Sequence, residues 1–427
     1  MFKTGILYCG YVLLFMGRIV MLPLFFLSGL VPRRKNLWVF GSWGGHRFAD
    51  NAAAYFLYCQ QHATGVDLVW ISREHDIVTG LRAAGYQAHH LWSVAGAWAC
   101  LHASVHYFDC FAKDTNFWLS RGAIKVCLWS GVPLKVFERD IDIPSSRYYR
   151  LFHGYVIERV VLAMMMPWHV QRPDWLIALS AETRDITARA FDVPKERVLI
   201  TGFPRNDRFA GTAPVATGLQ QELPQPMREA VAAGRKVFLY LPTYRDSGRP
   251  YTRIDWQHLD ELMKRLDATF FYKFHPMDHS THTQKFSHIF WIPRDRDVYD
   301  LLPNIDALIS DYSSIIFDFM LLERPIIFYT PDLAEFLSDC RALNFQPDEI
   351  ATTPLCNSYP ELVQRMETIA RDDEKGDPAR NDEVRQRLHR YRDGHASQRI
   401  FDALGERLGA DCSNAKAEPI NSTADRT

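Results

Sequence analysis

Short apolar runs recur along the chain, each closed by a polar or glycine-rich break and followed by a segment of helical periodicity. "LWVF" runs into "GSWGGHRFADN", "IKVCLW" into "SGVPLK", and "RVLI" into "TGFPRND". Further on, "KVFLYL" runs into "PTYRD", "TFFYKF" into "HP", and "DALIS" into "DYSS". Alternation of apolar strands with helical stretches predicts an α/β fold with parallel sheets. In every case the chemistry-bearing residues fall at the carboxyl end of a strand, the edge where open parallel sheets bind ligands. Three such ends lie in the first half and three in the second. The pattern therefore predicts two Rossmann-like domains facing a central cleft.

Boundaries follow from the same reading. Residues 1–35 form a membrane-associated segment, 36–210 a first Rossmann-like domain, 211–405 a second Rossmann-like domain, and 406–427 a disordered tail. The stretch "APVATGLQQELPQP" (Ala213–Pro226) has the small-residue and proline content of a linker. The tail, from Gly409 on, lacks apolar periodicity.

Gly5–Val31 is apolar over 27 residues apart from Arg18, and Arg33, Arg34 and Lys35 follow at once. Its length suffices to cross a bilayer, and the basic flank would keep the body on the cytoplasmic side. Arg18 is costly mid-bilayer and suits an interfacial helix. Attachment to the cytoplasmic face of the inner membrane is expected, by a single span or peripherally. Val156–Val170, with three consecutive Met and a Trp, reads as a core helix first and a membrane-facing element second.

Composition narrows the classes. Lys and Arg total 49 against 50 Asp and Glu, which argues against a nucleic-acid binder working by bulk charge. The eight cysteines form no CxxC pair, so neither a disulfide scaffold nor a zinc site is indicated. No GxxxxGK[ST] loop is present.

Candidate residues emerge from the strand ends. Ser313 and Ser314, at a strand-to-helix turn, either cap the helix or hold a phosphate. Asp311 orders that turn, Tyr312 either packs or meets a ribose, and Asp318 reads as a buried structural carboxylate. Thr243, Arg245 and Asp246 supply a hydroxyl, a forked cation and a carboxylate at one strand end. Arg205, Asn206 and Asp207 serve either a ligand or the hinge between domains. Gly44 and Gly45 permit close backbone approach, His46 stands next to them, and Asn51 suits a helix cap. Lys273 either neutralises phosphate or faces solvent. Asp295–Asp297 imitates a metal-binding DxD but reads as surface charge.

Taken in order, "GSWGGHRFADN", "WSGVPLK", "TGFPRND", "LPTYRD", "KFHP" and "SDYSSIIFDFMLLERPIIFY" resemble the motif series of the CDP-glycerol glycerophosphotransferase family, which makes teichoic acids and related polyol-phosphate polymers. The resemblance covers about Trp38 to Tyr329. It implies a GT-B architecture and transfer of a polyol phosphate from CDP-glycerol or a similar CDP-polyol donor. The implied acceptor is a membrane-linked glycan or polymer, CMP is released, and neither cofactor nor catalytic metal is needed. It assigns the first domain to the acceptor and the second to the nucleotide donor, with His275 on the leaving cytidylate, Ser313 and Ser314 on the donor pyrophosphate and Arg341 as a phosphate clamp. Thr243, Arg245 and Asp311 join them as candidate donor contacts, and Gly44, Gly45, His46, Asn51, Arg205 and Asp207 as acceptor or cleft residues. The family pattern Trp-His-Gly-Thr-Pro-Leu-Lys stands here with Ser130 in place of its histidine, the implied general base, and Val132 in place of its threonine. A serine hydroxyl is far too weak a base for that role. His46, His153 or Asp140 could replace it, a loose transition state could dispense with a base, or the acceptor has changed. A GT-B glycosyltransferase using a nucleotide sugar for capsule or lipopolysaccharide assembly, and a non-catalytic homologue, are the competing readings.

Overall fold

The computed structural model describes residues 2–213, 222–243, 245, 253–274, 285–372 and 378–410, with backbone alone for 2–14, 339 and 378. Two parallel sheets organise the chain. The first contains β1 (Arg34–Gly41), β2 (Asp67–Ser72), β3 (Ala88–His90), β4 (Ala103–Phe108), β5 (Ile124–Cys127), β6 (Trp175–Ala178) and β7 (Val198–Ile200), in the order β3-β2-β1-β4-β5-β6-β7. The second contains β8 (Lys236–Leu241), β9 (Ala268–Tyr272), β10 (Ile289–Trp291), β11 (Ala307–Ser310) and β12 (Ile326–Phe328), in the order β10-β9-β8-β11-β12.

Near-continuous apolar strands are what a sheet covered on both faces requires. Trp38, Val39 and Phe40 of β1 are all buried, as are Val237 to Tyr240 of β8. Helices supply the cover through one apolar stripe each. In Trp256–Arg265, Asp255 caps the first turn by accepting from His258 N (3.1 Å), and Leu259, Leu262 and Met263 form the buried face. In each sheet the chain reverses direction of growth beside its first strand, between β1 and β4 and between β8 and β11. The crevice at such a point opens above the carboxyl ends of the strands.

The closing helix and the loop after β5 make two of the contacts between the halves. The closing helix Ala396–Leu404 returns to the first half, where Phe401 packs edge-on against Tyr58 (6.0 Å between ring centres). Beyond it, Glu406–Leu408 forms a 3-10 turn with Leu408 buried, and Leu408 O accepts from Trp38 Nε1 (3.1 Å). The expected disordered tail thus begins as packed structure, and its remainder from 411 lies outside the described residues. The loop after β5 forms the second connection, through an antiparallel bridge between Lys135 and Leu343.

The N-terminal run is helical over Phe2–Ser28. Its last turns dock on the first half: Phe25 stacks on Phe117 (4.6 Å), and the Arg121 guanidinium lies 4.3 Å from the Phe26 ring centre. Arg33 donates to the carbonyls of Ser28 (2.7 Å) and Cys100 (3.1 Å), so this basic residue anchors the helix end. Among the described residues no helix is long and apolar enough to cross a membrane.

Candidate active site

Loops after β1 and β5 face loops after β8, β9 and β11 across a cleft of about 780 Å³. The cleft is lined by Ser130, Lys135, Thr243, Lys273, Ser313, Ser314 and Arg341, among others. Its two walls meet closely: a Cβ built on Gly131 would lie 3.6 Å from Ser314 Oγ.

The donor-side turn is rigid because its charges are paired behind the wall. Asp311 accepts from Thr243 N (2.9 Å) and Tyr312 N (2.6 Å) through Oδ1, and from Arg245 Nη2 (2.8 Å) through Oδ2. Arg245 also grips Asp332 with two bonds, of 2.7 and 3.0 Å. Tyr312 stacks on Phe336 (3.9 Å), and the guanidinium lies 5.0 Å from the Tyr312 ring centre. Burial alone would lower the Arg245 pKa, but Asp311 and Asp332 outweigh it and hold the group above its ordinary value. Asp311 orders the turn that presents Ser313 and Ser314, and Arg245, a candidate donor contact, braces that turn instead. Thr243 Oγ1, in the cleft wall, is buried without a hydrogen-bond partner among the described residues. Asp246 and His275 lie outside the described residues.

The helix after this turn is shorter than its pattern suggests. Ile315–Phe319 runs directly into a 3-10 turn, Met320–Leu322. Ser314, already helical at φ −65°, makes no capping bond with its side chain. The capping alternative therefore does not account for its hydroxyl.

Across the cleft, the glycines serve a tight turn. Gly44 (φ +68°) donates its N–H to Asp114 Oδ1 (2.8 Å), and a Cβ on Gly45 (φ +87°) would meet Arg73 Cγ at 3.0 Å. His46 pairs with Glu74 (2.6 Å) and lines a second chamber of about 740 Å³, which shares Arg47, Ala49, Asp297 and Tyr299 with the cleft. Ser130 Oγ lies 3.2 Å from Cys110 Sγ. His153 bonds the Arg139 carbonyl (2.6 Å) and Asp140 pairs with Arg189 (2.8 Å); neither lines the cleft.

Three residues read as acceptor or cleft contacts, with a structural role as the alternative, take the structural role. Asn51 does not cap its own helix, Asp50–His62: its Nδ2 donates to the carbonyls of Leu128 (2.9 Å) and Trp129 (2.7 Å), and its Oδ1 accepts from Arg205 N (3.1 Å) in the first turn of Pro204–Ala210. Arg205 is 1% exposed, bonding Asp50 (2.5 Å), the Ser130 carbonyl and Asp318 (2.8 Å). Burial lowers its pKa, but Asp318, Tyr299 and Asp50 together raise it further and keep it charged. Asp318 is completed by Asn206 Nδ2 (2.7 Å) and Tyr299 Oη (2.7 Å), as its structural reading requires. Asp207 caps the closing helix by accepting from Ala396 N (2.8 Å) and Ser397 N (2.9 Å), and burial pushes its pKa up to about 6. It lines a cavity of about 110 Å³ that shares no lining residue with the cleft.

Two cleft residues escaped the sequence reading. Lys135 closes the "WSGVPLK" segment, and Asp297, read as surface charge, lines both chambers. The signal for Lys135 was its place in the motif; Asp297 carried none beyond the acidic pair. Burial pushes Lys135 and Lys273 each down to about 8. Among the described residues no group of three His, Cys, Asp or Glu side chains is placed to hold a metal ion.

Residues 24–406 match the sequence profile of the CDP-glycerol:poly(glycerophosphate) glycerophosphotransferase family. The chain belongs to this family. Among curated relatives of the glycerophosphotransferase, the teichoic acid ribitol-phosphate primase of Bacillus spizizenii is 27% identical over 402 residues, covering 90% of this chain and 95% of the relative. The teichoic acid glycerol-phosphate transferase of Staphylococcus aureus is 25% identical, covering 87% and 93%. The solved wall teichoic acid polymerase TagF superposes with a TM-score of 0.67 at 21% identity, covering 94% of this chain and 97% of that one, and so shares its fold.

Proposed function

We propose that this glycerophosphotransferase-family enzyme moves a polyol phosphate, glycerol phosphate first, from a CDP-activated donor onto a membrane-linked glycan or polymer. The observation that carries this is the approach of Gly131 to Ser314 between two walls that also carry Lys135 and Arg341. Hydroxyls and cations on one narrow cleft suit a pyrophosphate held for attack from the opposite wall.

In the reaction an acceptor hydroxyl oxygen bonds the donor's β-phosphorus and the bond from that phosphorus to the bridging oxygen breaks. CMP leaves with the bridging oxygen, and the acceptor proton passes to a base. Ser130 is no base at neutral pH. The carboxylates lining the cleft among the described residues are Asp50 and Asp297. Asp50 is held by Arg205 and by Trp43 Nε1 (3.2 Å), whereas Asp297 accepts from Tyr299 N (3.0 Å) at the junction of the two chambers. Asp297 is the better placed acceptor of the proton. Incubation with CDP-glycerol, CDP-ribitol, UDP-sugars and GDP-sugars tests the reading. Release of CMP from a CDP-polyol is expected, and release of a nucleoside diphosphate from a sugar donor instead would overturn it.

Attachment to the cytoplasmic face of the membrane is part of the same proposal. Val20, Phe26, Leu27 and Leu30 at the end of the N-terminal helix are exposed, as are Tyr155, Val156, Ile157 and Val160 on the helix Val156–Met165 packed beside it. The Arg18 guanidinium lies 4.3 Å from the Trp168 ring centre, next to that second helix. Two apolar faces on adjacent helices suit interfacial insertion. Deleting residues 2–22, short of the docked Phe25, is expected to reduce co-sedimentation with anionic vesicles while CMP release persists. Undiminished vesicle binding would remove this helix from the attachment.

A further inference from the structure

The β5 loop does more than form a wall of the cleft. Val136 N donates to Ala342 O (2.9 Å) and Asn344 N to Leu134 O (2.7 Å), flanking the Lys135–Leu343 bridge, and Asn344 Nδ2 adds a bond to Pro133 O (2.9 Å). First-domain backbone is thereby stitched to second-domain backbone. Lys135 and Arg341 are carried by this stitched pair into the same cleft as Ser313, Ser314 and the unpartnered Thr243 hydroxyl.

The charges around the Lys135 ammonium come from the second domain. Facing it are Asp311, Arg341, Arg245 and the Cys340 thiol, and its Nζ lies 5.4 Å from the Phe336 ring centre. Asp311 is already committed to Arg245 and two amides. Among the described residues neither Lys135 nor Arg341 forms an ion pair. Two cations kept together away from a direct carboxylate partner are a site built for an anion.

We propose that Lys135 is the first domain's ligand to the donor pyrophosphate, closing with Arg341 around it, so that donor occupancy tightens the contact between domains. This rests on the CDP-polyol reading. The bridge uses backbone atoms alone, so a change of side chain at 135 leaves it in place. Burial, deepened by Arg341 and Arg245 and opposed by Asp311, sets the free ammonium near pH 8. An anion binds the protonated form more tightly than the neutral one. Donor affinity is therefore level below about pH 8 and falls above it, toward the level expected for Lys135→Met.

Calorimetric titration of the full chain with sodium pyrophosphate, CDP-glycerol and cytidine tests the assignment. Lys135→Met is expected to weaken pyrophosphate and CDP-glycerol by about 10- to 100-fold, the loss of one charge-assisted hydrogen bond, with cytidine binding and Tm unchanged. Lys135→Arg is expected to stay within about fivefold of the parent and to lose the fall above pH 8, since guanidinium does not titrate there. Pyrophosphate binding by Lys135→Met equal to the parent's, or none by the parent itself, overturns the proposal. Lys135-dependent pyrophosphate binding without CMP release from any CDP-polyol would instead sink the donor reading and leave Lys135 assigned.

Discussion

Arg205→Met is expected to destabilise the fold by about 3–5 kcal/mol at pH 7, read from the urea midpoint. Methionine fills much of the volume but leaves Asp50 and Asp318 as buried carboxylates without their shared cation. Asp318 keeps Tyr299 and Asn206, and Asp50 keeps Trp43 and Asn51 N, so both remain hydrogen-bonded. What is lost is charge neutralisation, and pH reveals it. Burial already raises the Asp50 pKa against the pull of Arg205, so without Arg205 this carboxyl gains a proton still more readily when folded than when unfolded. Such a group favours the folded state as pH falls toward the ordinary carboxylate range, so the deficit shrinks in acid. Adding Asp318→Asn should restore part of the loss, because the two residues act as one unit. A deficit below about 1 kcal/mol, the value of an exposed pair, would show that Arg205 is not the node joining the halves.

That node explains what the sequence could and could not reveal. The six strand ends were legible because two-sided burial writes continuous apolar runs, and because parallel topology sends every following loop to one edge. β1, β5, β7, β8, β9 and β11 all end at the quoted clusters. The clusters do not say which charges face a ligand and which face each other. Arg205 meets Asp318 across 113 positions, and Arg245 meets Asp332 across 87. A forked cation beside a strand end looks the same in either role. Lys135 was passed over for the converse reason, since the bridge partner that brings it beside Arg341 lies in the other domain. Asp297 reads as solvent charge until Asp50 and Tyr299 come beside it from other elements.

Loss of His275 should bear on turnover most heavily. β9 ends at Tyr272, and the next two residues, Lys273 and Phe274, both line the cleft wall. His275 itself follows outside the described residues, and its role comes from the family resemblance of "KFHP". Departure of CMP develops negative charge on the bridging oxygen, which a positioned imidazolium can protonate or hydrogen-bond. His275→Ala is therefore expected to lower kcat by about 100- to 10,000-fold while donor affinity changes little. The parent rate should fall as pH rises past the histidine pKa, ordinarily about 6.5, and the variant should lose that limb. Lys135 fails only above about pH 8 and acts on donor affinity, so the two limbs separate in one profile of CMP release. A folded His275→Ala enzyme turning over within about tenfold of the parent would remove the residue from the reaction. The proton for CMP would then have to come from another cleft group, with Lys273, already near pH 8 and on the same wall, the first to substitute.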